Sequence, residues 1–98
     1  MPNRPSEILD RNRERIRQIV SRHRSANPRI FGSVLHGTDT QSSDLDIIVD
    51  LLPGDTLFDL GGLHSELEEV LGLQVDLLTP GDLPRKYRDE VLQEAEPV

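Results

Sequence analysis

Asp44 and Asp46 flank Leu45 in an apolar, β-branched stretch, and Asp76 stands between Val75 and Leu77 in another. Alternate residues of a strand share a face. Asp44 and Asp46 therefore point one way, and Leu45, Ile47 and Val49 point the other. If the two stretches pair in a suitable register, Asp76 joins the same face across about 4.8 Å. Aspartate is disfavoured in strands, and carboxylates this close repel by of order a kcal/mol or more. No lysine or arginine lies near them in sequence to offset that charge. A hard divalent cation would offset it: magnesium bound by one or two carboxylates plus the phosphates of a substrate. Two such ions about 3.5–4 Å apart activate an attacking oxygen and stabilise a leaving one. A lone Asp-x-Asp also marks an ordinary solvated strand edge, so the chemistry needs further residues behind it.

Gly32-Ser33 supplies them. The pair follows a short apolar stretch, Arg29-Ile30-Phe31, that reads as a strand. A residue with no side chain lets a backbone N–H approach an anion, and the Ser33 hydroxyl can donate to a phosphate oxygen. Phosphates held there and metal held at Asp44 and Asp46 would together grip a nucleoside triphosphate.

The elements that must position these groups follow from periodicity. Ile8, Leu9, Ile16, Ile19 and Val20 line one face of an arginine-rich helix over residues 6–23, with Ser6 as its cap and Asn27-Pro28 beyond its end. Residues 29–33 form a first short strand, 34–43 a turn-rich stretch and 44–52 the strongest strand. Leu57, Leu60, Leu63, Leu67, Val70 and Leu71 step by threes and fours, which predicts a helix over 56–71 with an apolar core stripe. Gly61-Gly62 weakens its first turns, and Gly72 sits at its C-cap. Residues 73–79 read as a third strand. Leu83, Tyr87 and Val91 predict a last helix over about 83–95, with Arg85, Lys86 and Arg88 on its solvated face. The expected class is α/β (α+β): a short mixed sheet of about three strands covered by helices, with 44–52, 56–71 and 73–79 as a right-handed parallel crossover. Strands 29–33 and 44–52 are expected to be neighbours, with their relative direction left open.

Composition narrows the functional class. The 98 residues make one small domain, 1–98. Leu, Ile, Val and Phe together number 30, enough for a packed, mostly aliphatic core. With no cysteine, a disulfide scaffold, thiol catalysis and a cysteine zinc site are excluded. No apolar run approaches a membrane span and the arginine-rich start has no signal-peptide core, so the expected location is the cytoplasm. Residues 1–29 carry eight arginines against three acids, or +5. Residues 30–98 carry three cations against fifteen acids, or −12. So acidic a protein is not expected to bind nucleic acid directly, and no membrane partner is expected.

Gly32-Ser33, ten residues and then Asp44-Leu45-Asp46 match the pattern G-S-x10-D-x-D, and VDLLTP follows as a strand with a third carboxylate. The chain resembles the minimal nucleotidyltransferases of the DNA polymerase β superfamily, by motif over about residues 29–80 and by layout throughout. The resemblance implies a palm-like fold and magnesium at Asp44, Asp46 and Asp76, two ions in all, with these three carboxylates catalytic. It implies ATP as substrate, with Gly32, Ser33, His36, Gly37 and Ser43 around the nucleotide. Many relatives carry arginine where this chain has His36, and a neutral imidazole is a weaker phosphate partner than a guanidinium. It further implies transfer of AMP to a tyrosine hydroxyl of a HEPN-family ribonuclease toxin, which neutralises that toxin in a hetero-oligomer. Asp76 is placed to take the acceptor's proton. Two other readings stand beside this one. The chain is then an antitoxin that blocks its partner by contact alone, or the catalytic half of a two-part enzyme acting on a small molecule or RNA end.

Overall fold

A computed structural model describes residues 3–98. The elements are α1 (Pro5–Arg22), β1 (Ser25–Phe31), α2 (Gly32–His36), β2 (Leu45–Leu51), α3 (Leu57–Leu71), β3 (Val75–Leu78), a 3-10 turn (Pro80–Asp82), α4 (Arg88–Glu94) and β4 (Glu96–Pro97). The sheet has the strand order β3-β2-β1-β4. β2 and β3 run parallel, joined by the α3 crossover, and β1 is antiparallel to both β2 and β4. The sheet is thus mixed, as expected. The direction of the β1–β2 pair, open from sequence, is antiparallel.

One face of the sheet carries the core. Leu45, Ile47 and Val49 are fully buried there with Leu9, Ile16, Ile19 and Val20 of α1 and Leu63, Leu67 and Leu71 of α3. The alternation read from β2 holds on that face. On the other face Ile48 is also fully buried, outside the main core. The 3-10 turn packs against β2, and Leu83 just after it is buried as well. Its capping box, with Asp82 accepting from the Thr79 backbone N–H at 2.9 Å, makes that turn rigid.

Several boundaries differ from the sequence reading, each for a physical reason. Ser6 does not cap α1. Arg4 is the N-cap and makes no side-chain cap bond, while the Ser6 N–H donates to Asp39 Oδ2 at 2.9 Å. A carboxylate 33 residues away replaces the local cap. β1 begins at Ser25, not Arg29, because the ladder with β2 continues past Pro28 through a bulge between Ala26 and Arg29. Asn27 takes a left-handed φ of 54° there. Residues 32–36 are a helical turn rather than a strand end. The last helix starts at Arg88, and Arg88 folds back so that its Nη2 donates to Leu83 O at 3.0 Å. The sheet has four strands, not three. β4 is only two residues long, too short for any periodic signal. It is held by Val98 N–H to Pro28 O at 2.9 Å and by Arg17 Nη1 to Val98 O at 2.6 Å.

α3 forms despite Gly61-Gly62. Thr56 and Asp59 make a capping box at its start, and Gly72 closes it in the left-handed conformation. His23 ties α1 to it through Glu66 Oε1 at 2.8 Å, and Arg22 pairs with the same carboxylate. The hydrogen bond from His23, then Arg22, hold the Glu66 carboxyl below its usual range despite some desolvation. The apolar stripe of α3 is core only from Leu60 onward: Leu57 is 81 % exposed and Phe58 89 %.

Candidate active site

Register brings the three carboxylates together. Asp46 on β2 pairs with Asp76 on β3, and on its other side with Phe31 at the end of β1. Gly32 therefore lies against Asp46. The start of β2 is pinned by Leu45 N–H to Gln74 O at 3.0 Å, which leaves Asp44 exposed just outside the strand. Asp44 and Asp76 are exposed, and Asp46 is half-buried between them.

The electrostatics confirm the crowding. Asp46 has its carboxyl pushed up to about 6, first by desolvation and then by the charges of Asp76 and Asp44, with a hydrogen-bonding interaction to Asp76 adding to it. Among the described residues none of the three is in a salt bridge. Asp50, further along β2, is instead paired with Arg29 at 3.1 Å. The cluster thus keeps its negative charge uncompensated by protein.

The donor chemistry fits a hard divalent cation: clustered carboxylate oxygens, repelling one another, at an open face. Among the described residues, however, no group of three or more His, Cys, Asp or Glu is arranged to hold a metal ion by itself. Magnesium keeps waters and takes substrate phosphates as further ligands.

Gly32 has φ +71°, and a Cβ there would meet Asp46 Oδ2 well inside 3.0 Å. The glycine is needed for both reasons. Ser33, half-buried, begins the turn of α2 and accepts from Thr38 N–H at 2.9 Å through its carbonyl. Gly37 follows α2, with open space where a Cβ would be. Ser43 does not face outward as a free hydroxyl: its Oγ accepts from Thr40 N–H at 2.9 Å and closes the 40–43 turn. His36 is exposed, and its Nε2 lies 3.6 Å from Glu94 Oε2 on α4.

Two groups around the site escaped the sequence reading. Asp39, 5 % exposed, anchors the motif loop to the start of α1. Burial pushes its carboxyl up, but the Ser6 backbone and hydroxyl bonds, its own N–H and Arg4 together outweigh this and hold it below its usual range. His64 sits beside the site: its Nε2 donates to Val75 O at 2.7 Å, and it lines a cleft with Leu57, Leu60, Gly61, Asp76 and Leu77. No periodicity signals a contact between a helix face and a strand edge.

Known proteins resemble this chain over most of its length. A Methanocaldococcus jannaschii protein provisionally named protein adenylyltransferase MJ0435 is 39 % identical over 85 % of this chain and 89 % of its own. A solved structure provisionally assigned as a minimal nucleotidyltransferase superposes with a TM-score of 0.85 at 38 % identity, covering 95 % of both chains. A toxin–antitoxin crystal structure with AMP-PNP has the same fold, at a TM-score of 0.73 and 22 % identity, covering 88 % of this chain and 71 % of its own. The nucleotidyltransferase domain model matches residues 13–98, which span every strand and all the residues of the carboxylate cluster, and this chain belongs to that family.

Proposed function

We propose that the protein transfers AMP from ATP, with magnesium, to a tyrosine hydroxyl of a HEPN-family toxin in the cytoplasm, and so silences it. The observation that carries the reading is the register pair of Asp46 on β2 and Asp76 on β3, with Gly32 just past the end of β1 against Asp46, Asp44 beside them and, among the described residues, no salt bridge to these carboxylates. The family membership, the adenylyltransferase name of a 39 % identical relative and the fold shared with a toxin–antitoxin complex support it.

In this reading Asp44, Asp46 and Asp76 would hold up to two magnesium ions, and Gly32 and Ser33 present a backbone N–H and a hydroxyl to the triphosphate. Bound magnesium supplies charge to offset the phosphates and the developing negative charge on the leaving oxygen. The acceptor oxygen attacks the α-phosphorus, the bond to the β-phosphate oxygen breaks and pyrophosphate leaves. Asp76 accepts the hydroxyl proton. Positioning and electrostatics do most of such catalysis, which suits a site this sparse. Gly37 and Ser43 shape the loop that faces the nucleotide. His36 adds a weak phosphate partner once it leaves Glu94.

The test is to incubate the protein with ATP, magnesium and the protein encoded beside it, and to weigh the partner. A gain in multiples of AMP, lost with Asp44→Ala, is expected. No gain, with the variant and parent alike, refutes the reading. The His36–Glu94 pair favours one second reading, a contact-only antitoxin, because it draws a loop residue away from the phosphates. In that case a folded Asp44→Asn, Asp46→Asn double variant still neutralises the toxin.

A further inference from the structure

The exposed residues of α3 are Leu57, Phe58, Gly61, Gly62, Ser65 and Glu69. Phe58, Gly62, Ser65 and Glu69 recur at spacings of four, three and four, and so form one ridge opposite the buried Leu63, Leu67 and Leu71. A helix ridge that faces water ordinarily carries charged and polar side chains. This one has an 89 % exposed phenylalanine, two glycines and a serine before its single charge. We infer that the ridge is a self-association surface, and that its occupant is the α3 ridge of a second copy of this chain, packed antiparallel about a two-fold axis. This pairing is independent of the proposed transfer chemistry, because the acids of β2 point from the opposite face of the sheet.

Among the described residues, nothing within one copy requires the glycines. Glycine is the poorest helix former after proline, and neither Gly61 nor Gly62 takes a left-handed φ. A Cβ on Gly61 would meet nothing within 4 Å, and one on Gly62 would make ordinary contact with the His23 ring at 3.5 Å. Each is therefore replaceable inside the monomer. Leu57, beside Phe58, is 81 % exposed and widens the apolar surface at this end of the helix.

The ridge matches itself, and that selects the occupant. Phe58 is a knob, and one turn on Gly61-Gly62 is a hollow where a second helix can come close. A two-fold axis between Phe58 and Gly62 seats each phenylalanine on the other copy's glycines, the arrangement of an isologous dimer. A face shaped for an unrelated partner has no need to fit its own copy. The charges agree. Arg24, with a 62 % exposed side chain 3.6 Å from Asp55, stands at the Phe58 end, 3.3 Å from where a Cβ on Gly54 would be. Glu69, at the other end, is exposed and, among the described residues, in no salt bridge. Antiparallel pairing turns Arg24 of each copy toward Glu69 of the other.

Area sets the strength. From Phe58 to Glu69 the ridge runs about 16 Å, at about 1.5 Å per residue. Such a ridge from each copy buries roughly 700 Å² in all, less than the roughly 1,200 Å² of a stable interface, so the dimer is a transient one with a dissociation constant of order 100 μM.

The experiment is sedimentation equilibrium beside amide spectra of 15N-labelled protein, at chain concentrations from about 20 μM to about 1 mM. A monomer–dimer equilibrium is expected, with concentration-dependent shifts at Phe58, Gly61, Gly62, Ser65 and Glu69. Gly61→Arg should weaken association about tenfold or more while the melting temperature does not fall, because arginine is the better helix former. Phe58→Ala, on an exposed side chain, serves if that variant does not fold. Arg24→Glu and Glu69→Arg should each weaken self-association, and an equal mixture of the two should pair again. One copy then supplies both bases and the other both acids, and the recovery should fade in salt. A chain that stays monomeric at about 1 mM, shifts confined to another surface, unchanged association in a folded Gly61→Arg, or a mixture no stronger than its parts overturns the inference. Capture of a different protein by this ridge on a chain that remains monomeric overturns it too.

Discussion

Gly32 stands against Asp46 so closely that a single added carbon would displace the carboxylate. Backbone and side chain are here one device: the chain leaves β1, turns through a left-handed φ of 71° and passes over the half-buried acid of β2. Gly32→Ala tests it. The strained φ should cost about 1–2 kcal/mol, a modest fall in the melting temperature. Nucleotide binding should fall far more, because Asp46 must swing out of line. Calorimetric titration with magnesium and AMP-PNP beside a thermal melt separates the two. A variant that keeps its affinity refutes the coupling.

Asp46 also sets a pH dependence. Its folded value of about 6 lies above the ordinary 3.8, with desolvation first and Asp76 and Asp44 next as the causes. Between these values the folded state holds more protons than the unfolded one, so stability falls as pH rises through this window. Asp46→Asn should therefore stabilise the metal-free protein above pH 6, by about 1 kcal/mol once solvent screening is allowed for. The gain should fade toward pH 4. Melts in EDTA across this range check it, and an asparagine variant less stable at neutral pH contradicts it.

Magnesium with ATP should raise the melting temperature, since a ligand that binds only the folded state stabilises it by mass action. The Asp44→Asn, Asp46→Asn variant should melt at the same temperature with and without them. A scan over magnesium concentration at fixed nucleotide is the measurement. An equal rise in the double variant would place the nucleotide elsewhere.

Asp39 holds two distant segments together through Ser6. Asp39→Ala leaves the Ser6 N–H at the start of α1 without its partner and should cost about 1–2 kcal/mol. The Asp39 carboxyl is held below its usual range, so its contribution is present at neutral pH. It should be lost only as pH drops below the ordinary carboxylate range. Parent and variant melts should therefore converge on the acid side. A constant difference down to low pH would show that the effect is packing alone.

The local code carried much of this protein. Alternation in Leu45–Leu51 placed the acids and the core on opposite faces, because a strand's period of two leaves no other choice. Gly72 marked the end of α3, which its N–H closes by a bond to Glu68 O within one turn. The spacing of Gly32, Ser33, Asp44 and Asp46 was legible for the same reason: the motif lies within fifteen residues of chain. The cap on α1 was misread because its carboxylate comes from Asp39, and the fourth strand was missed because two residues carry no period.

Side-chain identity and short-range spacing determined which carboxylates this chain carries on β2, and which face of the strand they occupy. Only the tertiary structure decided that Asp76 is the register partner of Asp46, that β1 runs antiparallel beside them, and that His64 and Glu68 close the edge at Val75. Those relations depend on how loops and a crossover helix bring together strands up to thirty residues apart. Nothing in the local sequence sets that register; it is chosen by burying α1 and α3 on one face while Leu45, Ile47 and Val49 stay out of water.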